Sequence, residues 1–191
     1  WKEVKPFVRQ MEHDEGFLIF DDTIEEKPHT DENEIVCWHY DHAKQKNVKG
    51  INILSALVRY GDAAVPVAFE LVRKTRNEYD PKTGRKKRRS DRTKNEMFRE
   101  MIDVCAQNQL KYRYVLADSW FASKENMEHV RKRKKHFVFA IKSNRTVALS
   151  LETKTRGEFK QVSDMGLEKG QAVPVYMKGL DLRTKSLYGI G

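Results

Sequence analysis

The sequence predicts an α/β domain with a mixed central sheet flanked by helices, and three observations carry that reading. Short, nearly all-apolar runs at residues 17–20, 112–117 and 137–141 have the composition of strands covered on both faces. Two of them are preceded by segments whose apolar residues recur at helical spacing. Residues 51–60 and 64–72 are two β-rich runs joined by Gly61-Asp62, a hairpin signal. The order is therefore strand, hairpin, helix, strand, helix, strand, which mixes antiparallel and parallel pairing in one sheet.

Taken in order, Trp1, Val4, Val8 and Met11 fall at roughly helical spacing, a short helix that Pro6 should disturb. An Asp-Glu-Gly turn leads into the first strand, which ends on Asp21, Asp22 and Thr23. Residues 23–50 are polar and irregular, apart from a short strand at 35–42. After the hairpin, residues 82–94 are rich in lysine and arginine and read as a solvated loop. Thr93-Lys94-Asn95-Glu96 has the capping-box pattern and opens a helix with Met97, Phe98, Met101, Ile102 and Cys105 on one face. The second apolar strand ends at Asp118. Ser123 then caps a helix running to about residue 133, with Met127 and Val130 inward. Beyond Asn144 the texture changes to β-prone pieces at 146–151, 159–162, 172–177 and 186–190. This divides the chain into a core at 1–145 and a β-rich segment at 146–191.

With 37 Lys and Arg against 28 Asp and Glu, the chain carries a formal charge of +9, which points to an anionic partner, nucleic acid before membrane surface. No apolar run is long enough to span a bilayer, and the first residues do not have a signal-peptide pattern. Cys37 and Cys105 suggest no disulfide framework, which favours a reducing cytosol. The beginning at Trp1 and the end on Gly-Ile-Gly read as those of a piece of a longer chain.

The chemistry centres on the first and second strands, each of which delivers aspartate at its end. If the two lie side by side, Asp22 and Asp118 meet at one sheet edge. Two bare carboxylates repel each other, whereas a divalent cation between them stabilises both. Hard oxygen ligands favour Mg2+ or Mn2+. Two such ions about 3.5–4 Å apart can activate a water and stabilise the leaving oxygen of a phosphodiester. Spacing alone leaves other readings open: paired strand-end aspartates also occur in dehydrogenases and phosphatases, and Asp21 could cap a turn. Cys37, His39 and His42 offer only three zinc-type ligands without a Cys-x-x-Cys, so an ordinary strand is the better reading. The basic runs Arg85-Lys86-Lys87-Arg88-Arg89 and Arg131-Lys132-Arg133-Lys134-Lys135 are candidate phosphate contacts.

Leu18-Ile19-Phe20-Asp21-Asp22-Thr23, the Trp-His-Tyr-Asp segment with its following hairpin, and Leu116-Ala117-Asp118-Ser119-Trp120-Phe121-Ala122-Ser123 together resemble DDE-type transposases of bacterial insertion sequences, in particular those similar to insertion-sequence family four. The resemblance runs from about residue 17 to 141. It implies a ribonuclease-H-like core in which two aspartates and a glutamate hold two metal ions, Mg2+ or Mn2+. It selects Asp22, which precedes a threonine, and Asp118, which precedes an aromatic-Ala-Ser turn, with Asp21 and Thr23 as supporting neighbours. It implies that the tail from Thr146 is the start of a β-rich insertion and that the third carboxylate, in a Tyr, Arg, Glu, Lys signature absent after Asp118, lies beyond Gly191. One side of the sheet should then keep exposed apolar surface.

The function so implied is metal-dependent strand cleavage and strand transfer at the ends of an insertion sequence, acting on double-stranded DNA in the bacterial cytoplasm, with a homodimer assembled on the DNA. Arg85, Lys86, Lys87, Arg88, Arg89, Arg131, Lys132 and Arg133 are the candidate DNA contacts. The alternatives are a structure-selective nuclease on the same fold and a non-catalytic DNA-binding remnant.

Overall fold

A computed structural model of the chain describes residues 1–79, 81–168 and 171–180, and the backbone of 183–187. The element order is α1 (Lys5–Met11), β1 (Phe17–Glu26), β2 (Cys37–Asp41), β3 (Lys46–Tyr60), β4 (Ala63–Leu71), β5 (Arg76–Tyr79), β6 (Lys86–Arg89), α2 (Lys94–Gln107), β7 (Tyr114–Ala117), α3 (Lys124–Lys132), β8 (His136–Phe139), β9 (Thr146–Ala148), α4 (Leu151–Arg156), β10 (Lys160–Gln161), β11 (Ala172–Met177) and β12 (Arg183–Leu187). The main sheet has the order β2-β3-β1-β7-β8, with β4 also paired to β3. Strand β1 is antiparallel to β3 and parallel to β7, and β7 is parallel to β8. This mixed sheet with helices packed on it is the architecture expected of a ribonuclease-H-like α/β domain.

Alternation in β3 decides which face is core. Val48, Gly50, Asn52, Leu54, Ala56, Val58 and Tyr60 are buried, while the residues between them are not. The β1 register sets Leu18 beside Val58 and Phe20 beside Ala56, and the β7 register sets Leu18 beside Val115. All the fully buried residues of these three strands therefore share one face. Helix α2 lies on that face through Met97, Phe98, Met101, Ile102 and Cys105, and α3 joins it through Val130. Phe98 sits at the centre, its ring centroid 4.4 Å from that of Phe20 and 5.2 Å from that of Phe121. The opposite face is only partly covered: Phe17 is 37% exposed, Phe69 69% and Val138 47%.

Several expectations need correction. Pro6 lies in the first turn of α1, where its missing N–H has no helical partner to lose, and does not disturb it. Strand β1 runs on to Glu26 because β3 is long enough to pair with every residue from Phe17 to Glu26. Asp21 and Asp22 thus lie within the strand and not at its end, and β1 is buried on one face only. The stretch 82–94 is not all loop: β6 pairs with β5 in a separate two-stranded sheet. Of the piece at 146–151, only Thr146–Ala148 is strand; Ser150 caps α4 through Thr153, and Gly157, with φ of 76°, ends it. Residues Val162–Met165 form a 3-10 turn in place of the end of a strand. Of the piece at 186–190, residues 188–190 lie outside the described residues.

Strands β9 to β12 form a second sheet, in the order β10-β9-β11-β12. Val147, Val162, Val175, Met177 and Leu180 cluster there with Ala122 and Met127, so this sheet packs against α3 and the turn before it.

Candidate active site

Asp22 stands on the core face of β1, two residues beyond Phe20, opposite Leu54 of β3. The last β1–β7 pair is Ile19 with Leu116, so Asp22 lies just past the point where β7 stops covering the flank of β1. A gap opens there, and the carboxylate side chain is 23% exposed. Two groups hold it: Asn52 Nδ2 donates to Asp22 Oδ2 at 3.3 Å, and the Lys94 ammonium donates to the same Oδ2, while the Asp22 backbone N–H donates to Asp21 Oδ1 at 2.9 Å.

Asp118 follows β7 directly. Its Oδ1 accepts the Trp120 N–H at 2.9 Å, and its carbonyl accepts the Phe121 N–H at 3.2 Å, a tight turn into the Ser123 cap of α3. Continuing the β1–β7 register past Leu116 puts Asp118 beside Asp21 and Ser119 beside Asp22. Both aspartates lie past the last β1–β7 pair, Asp22 three residues beyond Ile19 and Asp118 two beyond Leu116, in the turn and exposed to solvent. Asp21, also exposed, points to the other face, and Thr23 follows it there.

Lys94 connects the two halves. It is the first residue of α2, fixed by the reciprocal Thr93–Glu96 capping box. Its ammonium reaches Asp22 on one side and stands 6.0 Å from the centre of the Trp120 ring on the other. Trp120 is 47% exposed and 5.5 Å from the ring of His42, so it is not a core residue packed under α3. Asn126 locks this arrangement from beneath. Fully buried, it donates to Asn95 Oδ1 at 2.7 Å and to the Phe121 carbonyl at 3.0 Å, and it accepts from Arg99 at 2.7 Å. Next to the turn, Ser119, Trp120, Ser123, Lys142, Asn144 and Arg145 line an open cleft of about 230 Å³.

Cys37 and His39 are neighbours on the core face of β2, with Sγ 3.3 Å from Nε2, and both are buried. Burial, with the Lys74 and Lys94 charges behind it, lowers the His39 pKa to about 4, so its ring is neutral. Burial raises that of the Cys37 thiol. His42 is apart from this pair, edge-on to Tyr40. No group of three or more His, Cys, Asp or Glu able to hold a metal occurs among the described residues.

The two basic runs lie in different places. Residues 86–89 form strand β6, which leads within a few residues to Lys94 and Asp22. Arg131, Lys132 and Arg133 end α3, and His136 N–H bonds to the Arg113 carbonyl, which precedes β7. That is the sheet edge opposite the carboxylates. Arg133 is also engaged, 2.7 Å from Asp103.

A family model described as DDE superfamily endonuclease matches residues 3–157. The chain belongs to that family. No match occurs among curated proteins or among solved structures. As a DDE superfamily endonuclease it falls among nuclease- and transposase-like proteins that act on DNA. The family match spans β1, which carries Asp22, β7, which Asp118 follows, and α2, which begins at Lys94.

The donor set of this endonuclease fits a hard divalent cation. Both aspartates offer oxygen, Asp22 already holds a positive charge in the Lys94 ammonium, and the buried Asn52 Oδ1 beside it has no hydrogen-bond partner. Sequence reading missed Lys94 and Asn52. A signal for Asn52 existed: it is a polar residue at a buried phase of an alternating strand. Lys94 carried none, since its place in a capping box explains it locally.

Proposed function

We propose that this chain carries the metal-binding aspartates of a transposase that cuts DNA at the ends of an insertion sequence and joins the freed 3′ hydroxyl to a second phosphodiester. What supports this reading is that Asp22 and Asp118 both lie just past the last β1–β7 pair, with Asp22 paired to the Lys94 ammonium. Asp22 and Asp118 would hold Mg2+ or Mn2+, which when bound supplies a nucleophilic water and stabilises charge on the leaving oxygen. The chain's own residues do the rest. Lys94 offers a positive charge for a phosphate oxygen at the same spot, Trp120 presents an exposed ring beside it, and the Asn126 bonds hold the Asp118 turn against α2. Asp21 and Thr23 support the strand around Asp22. Arg85 to Arg89 would contact DNA entering the site, while Arg131, Lys132 and Arg133 would serve a part of the duplex remote from it. A third carboxylate, and with it the second ion, would come from outside the described cluster.

Calorimetric titration with Mn2+ tests this. The wild-type chain should bind the ion, and Asp22→Asn and Asp118→Asn should each weaken binding by tenfold or more while keeping the circular-dichroism spectrum. Equal binding in wild type and Asp118→Asn sinks the proposal. Duplex DNA carrying the element's ends should be bound without being nicked, because only two of the three acids are at hand. Specific nicking that vanishes in Asp118→Asn would show that the acids here suffice.

A further inference from the structure

Strands β5 and β6 make a ribbon of their own, hydrogen-bonded to each other and absent from the main sheet. A two-stranded hairpin is marginal in water unless something packs on it. Here almost nothing does: seven of the eight strand residues are exposed, and only Arg88 is partly covered. The register also sets Arg76 directly opposite Arg89, a repulsive pair on one face. Residues 76–89 contain seven Lys and Arg against two acids. Burial does not explain why this sequence is held as a ribbon.

Its two faces differ. On one, Arg76 is 2.6 Å from Asp91 and Arg89 is 3.4 Å from Glu78, so these cations are answered within the ribbon and its base. The other face carries Asn77 opposite Arg88 and Tyr79 opposite Lys86. Tyr79 is 72% exposed, and Arg88 is 3.1 Å from Glu32, which ties the ribbon to the body. This face combines asparagine, a residue that reads base edges, with a flat ring, the Lys86 charge and Arg88, whose guanidinium Glu32 holds in place.

The stem is firm. Arg76 donates to the Ser90 carbonyl at 3.2 Å, and Arg92 bonds both Glu70, at 3.0 Å, and Glu100. Lys94 is five positions on from Arg89, so the end of the ribbon is at most about 18 Å from the residue that touches Asp22. That is about half a turn of B-form DNA, given roughly 34 Å per turn.

We infer that the β5–β6 ribbon enters the major groove of duplex DNA with the Asn77, Tyr79, Lys86 and Arg88 face toward the bases, half a turn from the carboxylates. The major groove, about 12 Å wide, admits a two-stranded ribbon. The inference rests on the DNA reading above and adds the element, the groove and the face.

The test uses the whole chain and a labelled duplex of about 30 base pairs, with binding followed by fluorescence anisotropy over a range of salt. Lys86→Ser with Arg88→Ser should weaken binding tenfold or more. The control, Lys2→Ser with Lys5→Ser at exposed positions that carry no proposed DNA contact, should lose less than threefold. Methylating guanine N7, which lies in the major groove, should weaken the wild type and leave the ribbon variant unaffected. Equal losses in the ribbon and control variants, or wild-type binding indifferent to N7 methylation, would overturn the ribbon's place in the groove and leave the DNA reading standing. A wild-type chain that binds no duplex would overturn both. The ribbon is exposed, so unchanged thermal unfolding confirms that each variant is folded.

Discussion

Lys94 and Asp22 form an ion pair across 72 residues of sequence, joining the first residue of α2 to the middle of β1. Each side chain is about a quarter exposed, so the pair is screened less than one on the surface. The same ammonium stands 6.0 Å from the Trp120 ring. A cation seeking Asp22 must therefore compete with one that the fold itself supplies.

The first prediction follows from that competition. Lys94→Met removes the ammonium and keeps much of its length, so Mn2+ should bind roughly tenfold more tightly, a change of about 1.4 kcal/mol. Calorimetry on wild type and variant measures it. Unchanged or weaker binding would mean that Lys94 assists the ion and does not oppose it.

His39 gives a pH dependence. Its folded pKa is held near 4 by burial, against an ordinary value of 6.5. Between these values the unfolded chain takes up a proton that the folded chain refuses, so stability falls as pH drops from 6.5 to 4 and the loss levels off below 4. The full loss is about 3 kcal/mol. Urea unfolding of wild type and His39→Gln at several pH values should show a shallower fall in the variant across this window. Parallel curves would count against it.

Phe98 is the keystone of the core, with no exposed surface and rings of Phe20, Phe121 and Phe139 around it. Phe98→Ala should cost about 3–5 kcal/mol, because three facing rings cannot all collapse into the space. Chemical denaturation would show this, and a loss below 1 kcal/mol would mean that the site closes up.

Asn126→Ala should cost about 1–3 kcal/mol by stranding Asn95, Arg99 and the Phe121 carbonyl. It should also loosen the Asp118 turn against α2, so hydrogen exchange should rise at residues 119–122. A stability loss with no local change in exchange would limit Asn126 to a packing role.

Much of the fold was legible in the sequence because its signals are local. The apolar runs before Asp21 and Asp118, the Gly61-Asp62 turn and the Thr93–Glu96 cap each act within a few residues, and each produced its element. The segment 146–191 was read less well: Leu151–Arg156 is a short helix set by the Ser150 cap and Gly157, signals that a β-prone composition masked.

The sequence by itself determined α2 and α3 with their caps, the β3–β4 hairpin and the apolar runs that became β1, β7 and β8, since caps, turns and spacing are written residue by residue. Only the tertiary structure decided the rest. Whether β1 ends at Asp22 depends on the length of β3, its partner some thirty residues away. Whether the basic run at 86–89 is loop or ribbon depends on pairing with β5. The meeting of Lys94, Asn52 and Trp120 around Asp22 exists only once α2, β3 and the turn after β7 converge on one sheet edge. Such convergence leaves no mark on any one segment, because its free energy comes from contacts between segments that are remote in the chain.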